Sequence, residues 1–192
     1  MSESKPHNYE MVSIYHLDPE VQEELLSISR ECVFNWCTRD EWPIGVIMAC
    51  LWKDGKMWLT AGGHRHRISA VRRNPRVSIV VTSTGTQLGG AKTVTIKGRC
   101  IVHEDAETKA WFYPAFSAHL HSGSEQRAKD FEELLTSPLR VVLEIVPEKF
   151  ITFDGVKMAQ HTAGVLDESE LGEPSESDTV RLQQELERRG LS

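Results

Sequence analysis

Apolar residues change their spacing several times along the chain, and each change marks an element. Asp18-Pro19-Glu20 reads as a helix start: Asp at the N-cap, Pro at the first helical position, an acid in the first turn. Val21, Leu25 and Ile28 follow at i, i+4 and i+7, a single apolar stripe. The period then shortens to that of strands. Cys32 to Thr38, Ile44 to Trp52 and Lys56 to Thr60 are β-rich runs, separated by Trp42-Pro43 and by Lys53-Asp54-Gly55-Lys56, an Asp-Gly hairpin signal. Ile44–Leu51 is almost wholly apolar and is expected to be covered on both faces. After Thr60 a Gly62-Gly63 loop leads to a short helix from about Arg67 to Arg73, which Asn74-Pro75 ends because a residue before proline is pushed out of the α region. Val77 to Thr82 and Thr93 to Val102 are two further strands, joined by the small-residue loop Thr84 to Gly90.

Asp105 is placed to cap a helix that carries Trp111 and Phe112 and breaks near Pro114; a second helix starts near Ser124 and presents Phe131, Leu134 and Leu135. Leu139 to Ile145 and Phe150 to Phe153 complete the strands. The set is six or seven strands with three or four short helices. Adjacent hairpins and scarce βαβ spacings favour a small antiparallel barrel over a doubly wound sheet. From Asp167 to Asp178 the chain holds six acids and no base among Ser, Gly and Pro, the signature of a flexible linker. Asp178 is a candidate cap for a last helix through Val180, Leu182, Leu186 and Leu191. Residues 1–163 therefore form one domain, with 164–192 as an acidic appendage.

At 192 residues the chain is long enough to bury a core without disulfide or metal staples. No apolar run is long enough to cross a membrane, and the polar N-terminus shows no secretory signal. Cys32, Cys37, Cys50 and Cys100 form no CxxC pair and read as reduced thiols of a cytoplasmic protein. The net charge of −6 is concentrated in residues 164–192, which carry −5 of it. Between Asp54 and Glu104 there is no acid at all, against nine bases: Lys56, Arg65, Arg67, Arg72, Arg73, Arg76, Lys92, Lys97 and Arg99. Such a block either is a solvated face neutralised by acids from elsewhere or attracts a small anion. An acidic chain with no nucleic-acid motif argues against nucleic acid as the partner.

The chemistry-bearing residues cluster in that stretch. A glycine loop carrying His64-Arg65-His66-Arg67 opens into a helix N-terminus, where backbone N–H groups and arginine forks bind phosphate. His64-x-His66 and His119-x-His121 lack the third and fourth ligands that zinc requires, so no metal is expected. There is no nucleophile elbow, no P-loop and no cysteine in a reactive setting. Trp111, Phe112, Tyr113 and Phe116 read first as core, with Tyr113 or His119 as candidates to face a substrate pocket.

The segment Asn74-Pro75-Arg76-Val77-Ser78, with its spacing to the preceding basic pair, resembles the FMN-binding split barrel of the pyridoxamine 5′-phosphate oxidase-like superfamily, which includes flavin and deazaflavin oxidoreductases. The resemblance covers about residues 30–155. It implies that Arg67, eight positions before the proline, holds the flavin phosphate with His66 and Arg65 beside it. It further implies that the backbone of Val46, Ile47 and Met48 lines the isoalloxazine ring, that Leu59 and Thr60 meet the ring and ribityl chain, and that Thr93 or Lys92 supplies a polar contact. A homodimer with FMN between subunits, acting on a small-molecule substrate, follows from the same likeness. The same fold using a deazaflavin, or a flavin- or haem-binding protein without turnover, are the alternatives. Arg67 stands where lysine is usual in the family. Ile44 and Ala49 replace the bases found in the vitamin-metabolising oxidases, and their C-terminal Arg and His signature is not visible. No catalytic side chain is nominated.

Overall fold

The computed structural model describes residues 10–191. Most of the polar N-terminal stretch that shows no secretory signal lies outside them. In order, the elements are a 3-10 turn (Val12–Ile14), α1 (Pro19–Ile28), β1 (Glu31–Cys37), β2 (Pro43–Ala49), β3 (Leu51–Lys53), β4 (Lys56–Gly62), α2 (His66–Arg73), β5 (Arg76–Thr82), β6 (Lys92–His103), α3 (Ala106–Leu120), α4 (Glu125–Leu135), β7 (Arg140–Asp154), α5 (Gly155–Thr162), a second 3-10 turn (Glu168–Glu170) and α6 (Glu176–Arg189).

Seven strands form one antiparallel sheet in the order β2-β1-β5-β6-β7-β4-β3. β2 and β3 are its two opposite edges, yet only Cys50 separates them along the chain. The sheet must therefore curl until its edges nearly meet, which makes the expected small antiparallel barrel. Period-2 alternation sorts side chains between its two faces. Met57, Leu59 and Ala61 of β4, with Val141, Leu143 and Ile145 of β7, point into the barrel core, where they join Phe34, Ile79 and Ile96. Trp58 and Val142 point outward into a second core shared with Phe112, Tyr113, Phe116 and Leu135 of α3 and α4. The β3–β4 turn is the Asp-Gly hairpin read from the sequence. Asp54 (φ 54°) and Gly55 (φ 72°) both occupy the left-handed region that a two-residue I′ turn demands.

Several expectations change. The run Ile44 to Trp52 is not one strand covered on both faces. It breaks at Cys50, and β2 is an edge strand paired only with β1, with Ile47 72% exposed. An apolar run marks surface that avoids water, but not what covers it. α3 does not break at Pro114; it runs from Ala106 to Leu120, anchored on both sides of the proline by the Phe112–Phe116 stack (4.9 Å) in the outer core. The two closing strands are a single 15-residue β7, whose register against β6 shifts between Lys97 and Gly98, opposite Pro147. Residues 10–163 hold five α-helices rather than three or four, and α6 is the last helix expected after the acidic stretch.

α5 escaped the sequence reading, although Asp154 caps it by accepting from the Val156 and Lys157 N–H groups. Asp18 precedes α1 as expected, but its carboxylate takes the Lys157 ammonium (2.6 Å) rather than a helix N–H. Ser175, not Asp178, occupies the N-cap of α6. The acidic stretch before it contains a 3-10 turn and touches the body, where Gly172 N–H donates to the Ile14 carbonyl (2.8 Å).

Candidate active site

β4 is paired with β3 only from Lys56 to Trp58, so its far end, Leu59 to Gly62, has a free edge on the side that faces β2. Where these two edges diverge, a cleft of ≈ 250 Å³ opens. Its walls are Met48 and Ala49 of β2, Thr60, Ala61 and Gly62 of β4, and Phe116, Phe131 and Leu135 of α3 and α4. Arg65, Arg67 and Arg140 supply its polar lining. The Gly62-Gly63 loop is drawn tight against the start of β7, Gly63 N–H donating to the Leu139 carbonyl at 2.6 Å, and Gly62 pairs with Arg140. This pairing brings the third arginine to the other two.

α2 begins at the same place. Its N-cap residue, Arg65, makes no side-chain cap, and the first turn holds no acid. Ile68 N–H donates to the Arg65 carbonyl (2.9 Å), which leaves the His66 and Arg67 N–H groups for an external acceptor, at the end of the helix where the peptide dipoles favour negative charge. Burial, together with the charge of Arg65, pulls the Arg67 guanidinium below its ordinary value, and Arg67 lies 5.8 Å from the centre of the Trp36 ring. Among the described residues no carboxylate comes within ion-pair distance of Arg65, Arg67 or Arg140.

That absence of partners sorts the basic stretch. Acids from outside it neutralise Lys56 (Glu144), Arg72 (Glu104), Lys92 (Asp154) and Arg99 (Glu148). Four of the nine bases thus belong to an ordinary paired surface. The arginines at the N-terminus of α2 do not.

Of the residues singled out from sequence, Met48, Thr60, Arg65 and Arg67 meet in the cleft. Thr60 is held by donating to the Val141 carbonyl (2.9 Å). Val46 packs partly on the barrel core and Ile47 faces outward, so β2 borders the cleft mainly through Met48 and Ala49. Leu59 is fully buried with its side chain inside the barrel, and only its backbone reaches the free edge of β4. His66 faces the other way, into a groove with Trp36. Lys92 and Thr93 lie at the opposite end of β6 from His103: the Lys92 ammonium is 3.9 Å from Asp154, and Thr93 pairs with Thr82.

Sequence reasoning missed Arg140, Phe116 and Phe131 as cleft residues. A lone base opening an apolar strand is the one signal that pointed to Arg140, and nothing local tied it to Gly62. Trp58 lines no part of the cleft; it sits 4.7 Å from Trp111, edge to face, and beside His103.

Ala49 and Phe131 also border a larger chamber of ≈ 1020 Å³, lined in part by Arg30, Thr82, Thr84, His119, His121 and Ser122. His119 Nε2 donates to the Ser29 carbonyl (2.9 Å), and Arg30 donates to Ser122 Oγ (2.7 Å). No group of three or more His, Cys, Asp or Glu side chains able to hold a metal occurs among the described residues. The arrangement is an anion-binding cleft opening into a roomier polar chamber.

A curled antiparallel sheet with its ligand cleft at the divergence of two strand edges defines the split-barrel class. The family model for pyridoxamine 5′-phosphate oxidase matches residues 17–154, and the chain belongs to that family. No curated protein matches. Among solved structures, a conserved hypothetical protein from Mycobacterium tuberculosis aligns over 81% of this chain and 93% of its own, at 18% identity and a TM-score of 0.66. An F420 reductase aligns over 67% and 94% (17% identity, TM-score 0.52), and a FAD-binding protein from Mesorhizobium loti over 71% and 94% (18% identity, TM-score 0.52). At these identities the likeness is one of fold.

Proposed function

We propose that the protein is a flavin- or deazaflavin-dependent oxidoreductase whose cofactor phosphate is held by Arg65, Arg67 and Arg140. The observation that carries this reading is the convergence of three arginines, without a carboxylate partner, on the open N-terminus of α2. Unpaired guanidinium charge at a helix N-terminus is the donor set a phosphate ester requires. The residues present therefore fit the phosphate-bearing end of FMN or of a deazaflavin. When bound, such a ring supplies hydride transfer.

The chain's own residues do the rest. Arg67 is stiffened by Trp36 and fixes the phosphate. The free backbone edge of β4 and the Met48–Ala49 end of β2 offer a flat ring hydrogen bonds along one side. Phe116, Phe131 and Leu135 keep water from the other. The chamber beyond Ala49 has room for a small polar substrate, with His119 and Arg30 on its wall. Lys92 and Thr93 would reach the cofactor only if it extends toward Thr82.

The reading includes a homodimer. β2 leaves a whole strand edge unpaired and exposes Ile44 and Ile47 beside Trp42, an apolar surface that a second copy would cover. It also includes a reducing, cytoplasmic setting, supported by four free thiols, and residues 164–192 as an appendage to the cofactor-binding body. No helix among the described residues is long and apolar enough to cross a membrane.

The test is an ultraviolet–visible spectrum of the purified protein after addition of excess FMN or F420 and desalting. A retained chromophore that turns over with a nicotinamide or an organic acceptor is the expected result. A retained chromophore that photoreduces but reduces no acceptor would make the protein a binder without turnover. Retention of neither would overturn the reading.

A further inference from the structure

Two buried side-chain polar atoms lack a hydrogen-bond partner among the described residues, the hydroxyls of Tyr113 and Ser117. They stand one turn apart on α3, and Phe116 of the cleft wall lies between them in sequence. A phenol both donates and accepts, and burying one unbonded costs stability, so an orphan of this kind beside a ligand cleft calls for a reason.

Tyr113 packs on the outer face of the sheet with Val142. Val142 pairs with Thr60 and follows Arg140 by two residues, on the same face of β7. Thr60 and Arg140 both line the cleft, so the phenol stands just behind its wall. Burial pushes that phenol above its ordinary value, while the charge of Arg140 and the hydroxyl of Thr60 pull the other way, and it is protonated at neutral pH. Its ring also borders a cavity of ≈ 570 Å³, lined by Ala110 and Pro114 of α3, Glu132 of α4 and Pro138, which leaves the side chain room to shift.

Proton bookkeeping in this corner decides what the phenol can do. Thr60 gives its one hydroxyl proton to the Val141 carbonyl (2.9 Å) and keeps only lone pairs. Arg140 has donors only, and its guanidinium makes neither an ion pair nor a hydrogen bond among the described residues. The Tyr113 hydroxyl offers a lone pair to the one and a proton to the other.

We propose that Tyr113 is a positioning residue of the anion cleft: as an anion binds, its oxygen accepts from Arg140 and its proton goes to Thr60 Oγ1, which fixes the third arginine against the anion. The inference rests on the phosphate site proposed above and adds a residue to it. Because the hydroxyl gains its partners only in the bound state, removing it moves stability and affinity in opposite directions. A tyrosine with a merely structural role gives the other pattern, a loss of stability with affinity intact.

The experiment titrates inorganic phosphate at constant ionic strength, and separately FMN and F420, into the wild type, Tyr113→Phe, Arg140→Ala and the double variant. Tryptophan fluorescence reads binding, and a thermal melt reads the stability of each ligand-free protein. Tyr113→Phe should weaken phosphate about three- to tenfold, the worth of one net hydrogen bond, and leave the ligand-free Tm at or above that of wild type. On the Arg140→Ala background the same change should alter affinity by less than about twofold, because the tyrosine acts through that arginine. In protein carrying ¹³C at tyrosine Cζ, one of the three tyrosine resonances, the one missing from Tyr113→Phe, should move as phosphate is added.

A phosphate affinity within twofold of wild type, an equal loss on the Arg140→Ala background, an unmoved Tyr113 resonance or a lowered ligand-free Tm each overturns the proposal. If phosphate behaves as expected and neither FMN nor F420 binds, Tyr113 keeps its role and the oxidoreductase reading falls. If a cofactor binds and Tyr113→Phe leaves every affinity unchanged, that reading stands without Tyr113. Binding of no probe overturns both.

Discussion

Replacing Arg67 by alanine separates ligand binding from stability. The guanidinium lines the anion cleft and stands 5.8 Å from the Trp36 ring. Charge-assisted hydrogen bonds to a phosphate are worth about 1.5–3 kcal/mol net, so their loss raises a dissociation constant by roughly 10- to 150-fold. The ligand-free protein should hardly notice. Losing the contact with Trp36 costs about 0.5–1 kcal/mol at a half-exposed site. Against this, the substitution removes an arginine that burial and the neighbouring Arg65 already disfavour, and it leaves no carboxylate unpaired. The net change in folding free energy is therefore under about 1 kcal/mol, which for a chain of this size moves Tm by less than about 4 °C. Fluorescence titration with FMN and F420, with a thermal melt of the ligand-free variant, measures both quantities. An affinity within threefold of wild type for every cofactor that the wild type binds would refute the phosphate assignment. A fall in Tm beyond about 5 °C would mean that Arg67 is chiefly a structural residue.

Three further outcomes follow from the barrel itself. A Cβ at Gly98 would collide with the Val146 carbonyl oxygen in the middle of a strand paired on both sides, so Gly98→Ala should cost about 1–3 kcal/mol in chemical denaturation. Burial alone would raise the Glu144 carboxyl, but hydrogen bonds and charge from Lys56 (2.5 Å) and His103 (2.6 Å) outweigh it and hold the group below its ordinary 4.5. A depressed carboxyl stabilises the fold above its unfolded value and loses that contribution as pH falls through its folded one. Glu144→Gln should therefore cost about 1–3 kcal/mol at pH 7 and much less near pH 3, measured as Tm against pH. Burial and the nearby Glu144 push the Cys100 thiol up to about 12, and Cys32 and Cys50 are buried, so iodoacetamide at pH 8 should label Cys37 alone in the native protein, read by mass spectrometry.

Local chemistry determined much of this protein by itself. The Asp54-Gly55 turn, the stop at Asn74-Pro75, the caps at Asp105 and Ser124 and most strand runs depend on a few neighbouring residues, and those were legible. So was the basic loop at the head of α2, because residues adjacent in sequence create it. The family resemblance, carried by Asn74 to Ser78, pointed to the same loop.

Tertiary structure decided what depends on residues distant in sequence. Pairing of β4 with β7 put Arg140 opposite Gly62 and made a pair of arginines into three. Acids from β7 and from just before α3 neutralised four of the nine bases in a block that composition left undivided. Packing of Phe112 on Phe116 carried α3 through Pro114, against local propensity. The curl of the sheet set β2 at an open edge, so that a run whose composition predicts burial stands exposed. Hydrophobic patterning records which surface avoids water, because that depends on the side chain alone. What covers that surface depends on which strands become neighbours, and only the folded sheet determines that.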